Sequence, residues 1–245
     1  MRHYGIIGFP LVQSFSAKFF NEKFAREGID AEYSLYPIAS DELERIRHYV
    51  DTLNGMNVTI PYKQIVIPYL ERLDETAETI GAVNVVYQHV GYNTDCLGFI
   101  DSMKPLLREF DQKALVLGTG GASKAVCYGL RKLGVEPTLV SRTPREGMLG
   151  YRDLNAEVMV SHTIIVNCTP LGMTPNIETC PDIPYAQITA QHLLYDCVYN
   201  PDETLFLKKG KAQGATTKNG MEMLYGQAKA AWRIWSGEPP QAATK

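Results

Sequence analysis

The chain has 245 residues, of which 45% are hydrophobic and 21% charged, and its 24 basic and 27 acidic residues give a formal charge of −3. This composition is ordinary for a globular protein long enough to bury a core without disulfides. It excludes a disordered chain, a basic nucleic-acid binder and a membrane span of ~18 apolar residues. Five cysteines (Cys96, Cys127, Cys168, Cys180, Cys197) without a C-x-x-C pair, and five scattered histidines, argue against a disulfide framework or a metal centre and for a reducing, cytoplasmic setting.

The opening MRHYGIIGFPLVQSFSAKFF reads as a strand and loop, not a signal peptide. A strand is expected over 3–8. A helix follows over 16–28, with Ser16 as N-cap, Phe19, Phe20 and Phe24 as its apolar face, and Gly28 as its stop. Next come a strand at 31–38, a helix at 40–53 and a strand at 55–60. A helix over 62–73 should break at Pro68. A strand at 82–90, a turn at Gly91–Tyr92–Asn93 and a helix over 95–109 complete the first part. After that the texture changes to short, continuously apolar strands of the parallel-sheet kind, at 113–118, 137–141, 163–168 and 192–199. Helices are expected after the loop GTGGAS, at 202–213 and at 220–236, the last with apolar steps of 3, 4, 3 and 4 from Met221 to Trp235. Alternating strands and helices imply an α/β fold with a mostly parallel sheet, and the shift near residue 110 implies two lobes.

Gly118–Thr119–Gly120–Gly121–Ala122–Ser123 lies between a strand and a helix, the setting in which glycines let backbone approach a pyrophosphate at a helix N-terminus. About 20 residues on, where an NAD site carries an acid, the chain has Ser141–Arg142–Thr143. Arg142 suits a 2′-phosphate, so NADP is favoured over NAD. In the first lobe, Thr59 and Lys63 flank Pro61 at a strand end. Lys63 reads either as a surface charge or as a proton donor to a developing alkoxide. Asp95 reads either as a helix N-cap or as a carboxylate for a substrate hydroxyl. Ser14 and Ser16, beside a helix N-terminus, suit a substrate carboxylate. Asn84 interrupts an apolar strand and Gln227 an apolar helix, and such buried amides need partners.

Six blocks occur in order: Gly55–Met–Asn–Val–Thr–Ile–Pro–Tyr–Lys63, Gly81–Ala–Val–Asn84, Asn93–Thr–Asp95, Gly118–Thr–Gly–Gly–Ala122, Asn167–Cys–Thr–Pro–Leu–Gly–Met173 and Tyr195–Asp–Cys–Val–Tyr–Asn–Pro201. With Gly220–Met–Glu–Met–Leu–Tyr–Gly–Gln227 they closely resemble the shikimate dehydrogenase family, from Tyr4 to Gly237. The resemblance implies NADPH-dependent reduction of 3-dehydroshikimate to shikimate in aromatic amino acid biosynthesis. It implies an N-terminal α/β substrate domain (1–101), a Rossmann-like NADP-binding domain (102–219) and a C-terminal helix (220–245) returning to the first. Lys63 matches the catalytic lysine and Asp95 its partner. Ser14, Ser16 and Thr59 match the carboxylate side, and Asn84, Asp95, Tyr199 and Gln227 the ring hydroxyls and pocket. Gly118, Thr119, Gly120, Gly121 and Ala122 match the cofactor loop. Ser141, Arg142 and Thr143 match the 2′-phosphate clamp, Thr169, Cys197 and Gly220 the nicotinamide side, and Glu75 a weaker cofactor position.

The chain departs from the family in three places. The usual His-Ser-x-Ser-Pro is Gln13–Ser14–Phe15–Ser16–Ala17, the usual Asn-Arg-Thr is Ser141–Arg142–Thr143, and the stretch from Thr143 to His162 is short. The expected partners are a small-molecule substrate and NADP, with no nucleic acid, membrane or metal, in a cytoplasmic monomer or homodimer. The competing readings are a quinate/shikimate dehydrogenase using NAD(P) and a non-catalytic NADP-binding sensor.

Overall fold

In both halves of the chain, side chains that alternate along buried strands set the layers. The computed structural model describes residues 1–12 and 14–238. The chain divides into two units: Met1–Thr94 together with the chain from Gln227, and Asp95–Gly226.

The first unit contains β1 (Arg2–Gly8), α1 (Phe15–Glu27), β2 (Ala31–Pro37), α2 (Arg45–Thr52), β3 (Gly55–Val58), β4 (Arg72–Leu73), α3 (Glu75–Ile80), β5 (Val85–Tyr87), β6 (Val90–Tyr92) and the second half of the last helix, α8 (Met221–Trp235). Its strands run in the order β2-β1-β3-β5-β6-β4. β1 is parallel to β2 and β3, and β5 is antiparallel to β3 and β6, so this sheet is mixed. The period of two sends Ile7, Val58 and Val86 to one core, with Ile46 and Tyr62. It sends Tyr4, Ile6 and Val85 to the other, with Phe20, Phe24, Ala228, Ala231, Ile234 and Trp235. The Trp235 indole N–H donates to the Val86 carbonyl at 3.2 Å, which ties the chain's end to the sheet. A side chain at Gly55 would put its Cβ 2.5 Å from that indole.

The second unit contains α4 (Asp95–Met103), β7 (Lys113–Leu117), α5 (Gly121–Lys132), β8 (Glu136–Ser141), β9 (Leu149–Gly150), α6 (Ala156–Ser161), β10 (Ile164–Asn167), β11 (Leu193–Asp196), α7 (Leu205–Ala212), β12 (Thr216–Lys218) and the start of α8. Its sheet is parallel throughout, in the order β12-β11-β10-β7-β8-β9. Ala114, Val116, Ile164, Val166, Leu193 and Tyr195 face one core with Phe99 and Leu130. Leu115, Leu117, Ile165 and Leu194 face the other with Phe206 and Met159. Both faces are covered, as a parallel sheet requires, and the α/β class expected from the sequence stands.

Several boundaries differ from those read from the sequence. α1 is capped by Ser14, whose Oγ accepts from the Ser16 N–H, and not by Ser16. The helix expected over 40–53 begins only at Arg45, because residues 39–46 close as three-residue turns around Glu42. The helix expected over 62–73 is a run of turns, a 3-10 turn at Ile67–Tyr69 around Pro68, and then β4. The strand at 82–90 is shorter, and the hairpin turns at Gln88 and His89, both at positive φ (48° and 60°). Gly91 lies inside β6, where a Cβ would come within 2.7 Å of Leu70 and Val83, so it is a packing glycine and not a turn glycine. α4 ends at Met103 and passes into a 3-10 turn at Lys104–Leu106, which carries Pro105. α4 lies wholly in the second unit, so the units part at Thr94/Asp95 and not after residue 101. They part again at Gly226/Gln227, within α8.

Candidate functional site

In the first unit, four strand ends meet at one edge of the sheet. β1 and β3 finish side by side, with Ile7 opposite Val58. β5 starts there in the opposite sense, Asn57 pairing with Val85, and β6 finishes there with Tyr92 opposite Val85. Ser14 and Ser16 follow β1, Thr59 and Lys63 follow β3, Asn84 precedes β5 and Thr94 follows β6. Six polar residues from separate stretches thus reach one edge, the edge at which α/β sheets bind ligands.

Each is fixed by its surroundings. The Ser14 Oγ accepts from the Ser16 N–H at 3.1 Å. Ser16 is buried against the Tyr33 phenol, and the Tyr33 hydroxyl donates to Asn57 Oδ1 at 2.7 Å. The Thr59 N–H donates to the Ile7 carbonyl at 2.9 Å. Lys63, half-buried, sits in the turn after Pro61. The neighbouring Tyr62 is buried with its hydroxyl donating to the Ile38 carbonyl, and the Lys63 carbonyl accepts from the Val83 N–H at 2.7 Å. Asn84 is buried beside that residue. Its Nδ2 donates to Thr94 Oγ1 at 3.0 Å, and its Oδ1 accepts from the Thr94 N–H at 2.7 Å. Asn57 Nδ2 donates to the Asn84 carbonyl at 3.2 Å. Gln227 is buried in the part of α8 belonging to this unit. Glu75 is exposed in the first turn of α3, where an acid complements the helix dipole. Gln13 lies outside the described residues.

In the second unit, the chain runs outward from β7 through β8 to β9, then returns to β10 on β7's other side. The ends of β7 and β10 therefore form a topological switch point, where doubly wound sheets bind nucleotides. Gly118 stands there at φ +107°, and a Cβ on it would lie 3.2 Å from the Thr169 methyl. Gly120 is the N-cap of α5 at φ −83°, which any residue can adopt, and a Cβ there would meet nothing within 4 Å. Neither backbone conformation nor internal packing requires glycine at this position. Open space at an α5 N-terminus without a side-chain cap fits a pyrophosphate drawn against the backbone. Thr119 is exposed in the loop, and Gly121 and Ala122, expected to precede the helix, form its first turn.

β8 ends one strand away. Ser141 is buried and its Oγ accepts from the Thr143 N–H at 3.2 Å, while Arg142 and Thr143 are exposed. The chain passes from β8 to β9 without an intervening helix. Across the switch point, the Asn167 Oδ1 accepts from the Thr169 N–H at 3.0 Å and from Thr169 Oγ1 at 2.7 Å. The Asn167 Nδ2 donates to Asp196 Oδ1 at 3.0 Å. Asp196 also accepts from the Val198 N–H at 2.9 Å and from Thr204 Oγ1 at 2.5 Å. It is fully buried, and that burial pushes its carboxyl up to about 6. The Cys197 N–H donates to the Asn167 carbonyl at 2.9 Å, and Gly220 packs so closely that a Cβ would sit 2.4 Å from the Cys197 carbonyl oxygen. Asp95 is buried at the start of α4, and Tyr199 is 36% exposed just beyond β11.

Asn57, Asn167 and Asp196 are the residues that sequence reasoning passed over as site components. Each is a polar residue in an apolar strand, the signal that singled out Asn84. Among the described residues, no cluster of three or more His, Cys, Asp or Glu could hold a metal ion, and no helix is long and apolar enough to cross a membrane.

Comparison with known proteins shows the family. A family model described as the shikimate dehydrogenase substrate binding domain matches residues 6–86. A curated relative from Aquifex aeolicus, a shikimate dehydrogenase (NADP(+)), is 38% identical over 249 residues, covering 96% of this chain and 91% of its own length. One from Desulforamulus reducens with the same description is 33% identical over 259 residues, covering 95% of this chain and 89% of its own. The crystal structure of shikimate 5-dehydrogenase from Thermus thermophilus, in complex with NADP(H) and shikimate, matches with a TM-score of 0.85 at 28% identity. That match covers 98% of this chain and 95% of the other.

Proposed function

The chain belongs to the shikimate dehydrogenase family, and from that premise we infer that it is an NADP-dependent oxidoreductase that interconverts 3-dehydroshikimate and shikimate, in the route to aromatic amino acids. The observation that carries this reading is the convergence of Ser14, Ser16, Thr59, Lys63 and Asn84 on one edge of the first sheet. We assign substrate binding to the first unit, with Gln227 supplied by α8, and NADP binding to the second.

When bound, NADPH supplies the hydride that reduces the carbonyl carbon. The chain's part is positional and electrostatic. Ser14 and Ser16, at the start of α1, hold the substrate carboxylate, with Thr59 beside them. Lys63 Nζ faces the carbonyl oxygen, stabilises the negative charge that grows there and gives up a proton to it. Asn84, held on both sides by Thr94, presents a fixed amide to a ring hydroxyl. Asp95, the next residue after Thr94, is assigned a second ring hydroxyl, and Gln227 and Tyr199 are each assigned a further substrate contact. In the second unit, Gly118 to Ala122 admit the pyrophosphate, and Arg142 pairs with the 2′-phosphate between Ser141 and Thr143. Thr169, Cys197 and Gly220 lie on the nicotinamide side, and Glu75 is assigned a lesser cofactor contact. The enzyme works in the cytoplasm as a monomer or homodimer.

The test is the absorbance of nicotinamide reduction with shikimate or quinate, each against NADP⁺ and NAD⁺. Turnover confined to shikimate with NADP⁺ is the expected result. Equal turnover with quinate or NAD⁺ moves the protein to the broader-specificity reading, and NADPH binding without turnover on any pair overturns the enzyme assignment.

A further inference from the structure

Cys168 and Cys197 bring their Sγ atoms to 3.7 Å of each other. They are the first residues beyond β10 and β11, whose last pair is Asn167 opposite Asp196. The Cys197 N–H bond to the Asn167 carbonyl carries the ladder one step further, so the two cysteines stand abreast. Neighbouring strands lie about 4.8 Å apart, within the ~4.4–6.8 Å between Cα atoms that a disulfide spans. Both residues are half-buried, whereas Cys96 and Cys127 are buried in the core and Cys180 lies apart on a loop. All five thiols are free. The mechanism proposed above uses neither thiol group.

We propose that Cys168 and Cys197 are an oxidation site: a hydroperoxide converts them to an intramolecular disulfide, and bound NADP(H) shields them from it. The shielding half rests on the cofactor assignment of the preceding subsection. The chemistry balances in two steps. One thiolate attacks a peroxide oxygen, forming an S–O bond and breaking the O–O bond, and an alcohol or water leaves after taking up a proton. The second sulfur then attacks the sulfenic sulfur, forming the S–S bond and breaking S–O, with loss of water. The two thiols give up two electrons and the hydroperoxide is reduced. Burial and the neighbouring Cys197 push the Cys168 thiol well up; whichever sulfur is oxidised first, the other stands within reach to resolve it. The bond sits between two loops assigned to the cofactor: Thr169 follows Cys168 directly, and Gly220 packs on the Cys197 carbonyl. Closing the sulfurs from 3.7 Å to about 2 Å draws these loops out of place, so the oxidised protein binds NADPH more weakly.

The experiment treats the full-length protein with tert-butyl hydroperoxide, with and without NADP⁺, then alkylates it in denaturant and measures intact mass and linked peptides. The expected result is three alkylated thiols in place of the five in the chain, a peptide joining Cys168 to Cys197, and reversal by dithiothreitol. Cys168→Ala and Cys168→Ser should abolish the link while keeping NADPH binding and basal activity. Five free thiols, a lone sulfenic acid, or a link to Cys180 or Cys127 overturns the site. NADP⁺ at ten times its Kd should slow linkage about tenfold. An unchanged rate, with binding verified by NADPH fluorescence, overturns the shielding and leaves the cofactor assignment standing. Failure of NADPH to bind at all overturns that assignment and the shielding with it, and the linked peptide then judges the thiol site alone.

Discussion

The Asn167 side chain joins Thr169 to Asp196: its oxygen receives the Thr169 backbone and hydroxyl, and its nitrogen donates to the Asp196 carboxylate at 3.0 Å. A buried asparagine with both ends satisfied specifies a single conformation for the turn it holds. Asn167→Ala should lower stability by about 2 kcal/mol, because it strips a partner from a buried carboxylate. It should also raise KM for NADPH while leaving KM for shikimate nearly unchanged. Denaturant midpoints and initial rates check both, and an equal rise in the two KM values would place Thr169 away from the cofactor.

Asp196 itself makes the second unit sensitive to pH. Burial raises its carboxyl to about 6, so the fold favours the protonated form. The unfolded chain releases that proton near pH 4. The stability Asp196 lends is therefore full below pH 4 and drains away as pH rises through 6, by about 3 kcal/mol in all. Asp196→Asn removes this titration and keeps an acceptor for Asn167 and Val198. Urea midpoints of the two proteins should diverge between pH 4 and 6 in favour of the variant, and run parallel above. Parallel curves throughout would mean that Asp196 titrates normally.

Lys63→Ala removes the cation at the growing oxyanion and the proton source. A loss of about 10²–10⁴ in kcat is expected, with KM for shikimate far less affected, measured at saturating NADPH. Normal kcat in this variant sinks the catalytic assignment.

Arg142 is exposed, so Arg142→Ala should leave the thermal midpoint nearly unchanged. It should raise KM for NADP⁺ roughly 10- to 100-fold, the value of a hydrogen bond to a charged group, and leave KM for NAD⁺ alone. An unchanged ratio of the two cofactors would remove the clamp.

Gly120→Ala separates folding from binding. The added methyl enters open space at an ordinary φ, so stability should hold or rise slightly. The same methyl occupies the approach assigned to the pyrophosphate, and NADPH affinity should fall about tenfold or more. Calorimetry and fluorescence titration together decide it, and unchanged affinity would mean that the loop holds no phosphate.

Long, strongly patterned elements were legible. The 3–4 spacing of α8 and the continuous apolar runs of β7, β10 and β11 are properties of many residues acting together. β4 and β9 have only two residues each and carry no periodicity to read. The hairpin was misplaced because Gly91 looks like a turn residue, whereas close packing against Leu70 and Val83 is what requires it. Site residues were legible where they stood in recognisable blocks. Asn57, Asn167 and Asp196 break apolar strands as Asn84 does, but the contacts that join strand to strand through them are remote in sequence: Asn167 and Asp196 lie 29 residues apart and Tyr33 and Asn57 lie 24 apart.

Trp235 closes the first unit's core from 149 residues beyond Val86. On a ribosome adding about 5–20 residues per second, that interval lasts roughly 7–30 s. Throughout it, Tyr4, Phe20, Phe24 and Tyr33 have emerged without the helix that covers them. Asp95–Gly226, by contrast, is one continuous stretch and needs no segment from the first unit's part of the chain. The first part of the chain to be synthesised thus waits on the last part to finish folding. Its aromatic surface is what a chaperone would meet on the nascent polypeptide, and a premature stop before Ala228 would leave it permanently uncovered.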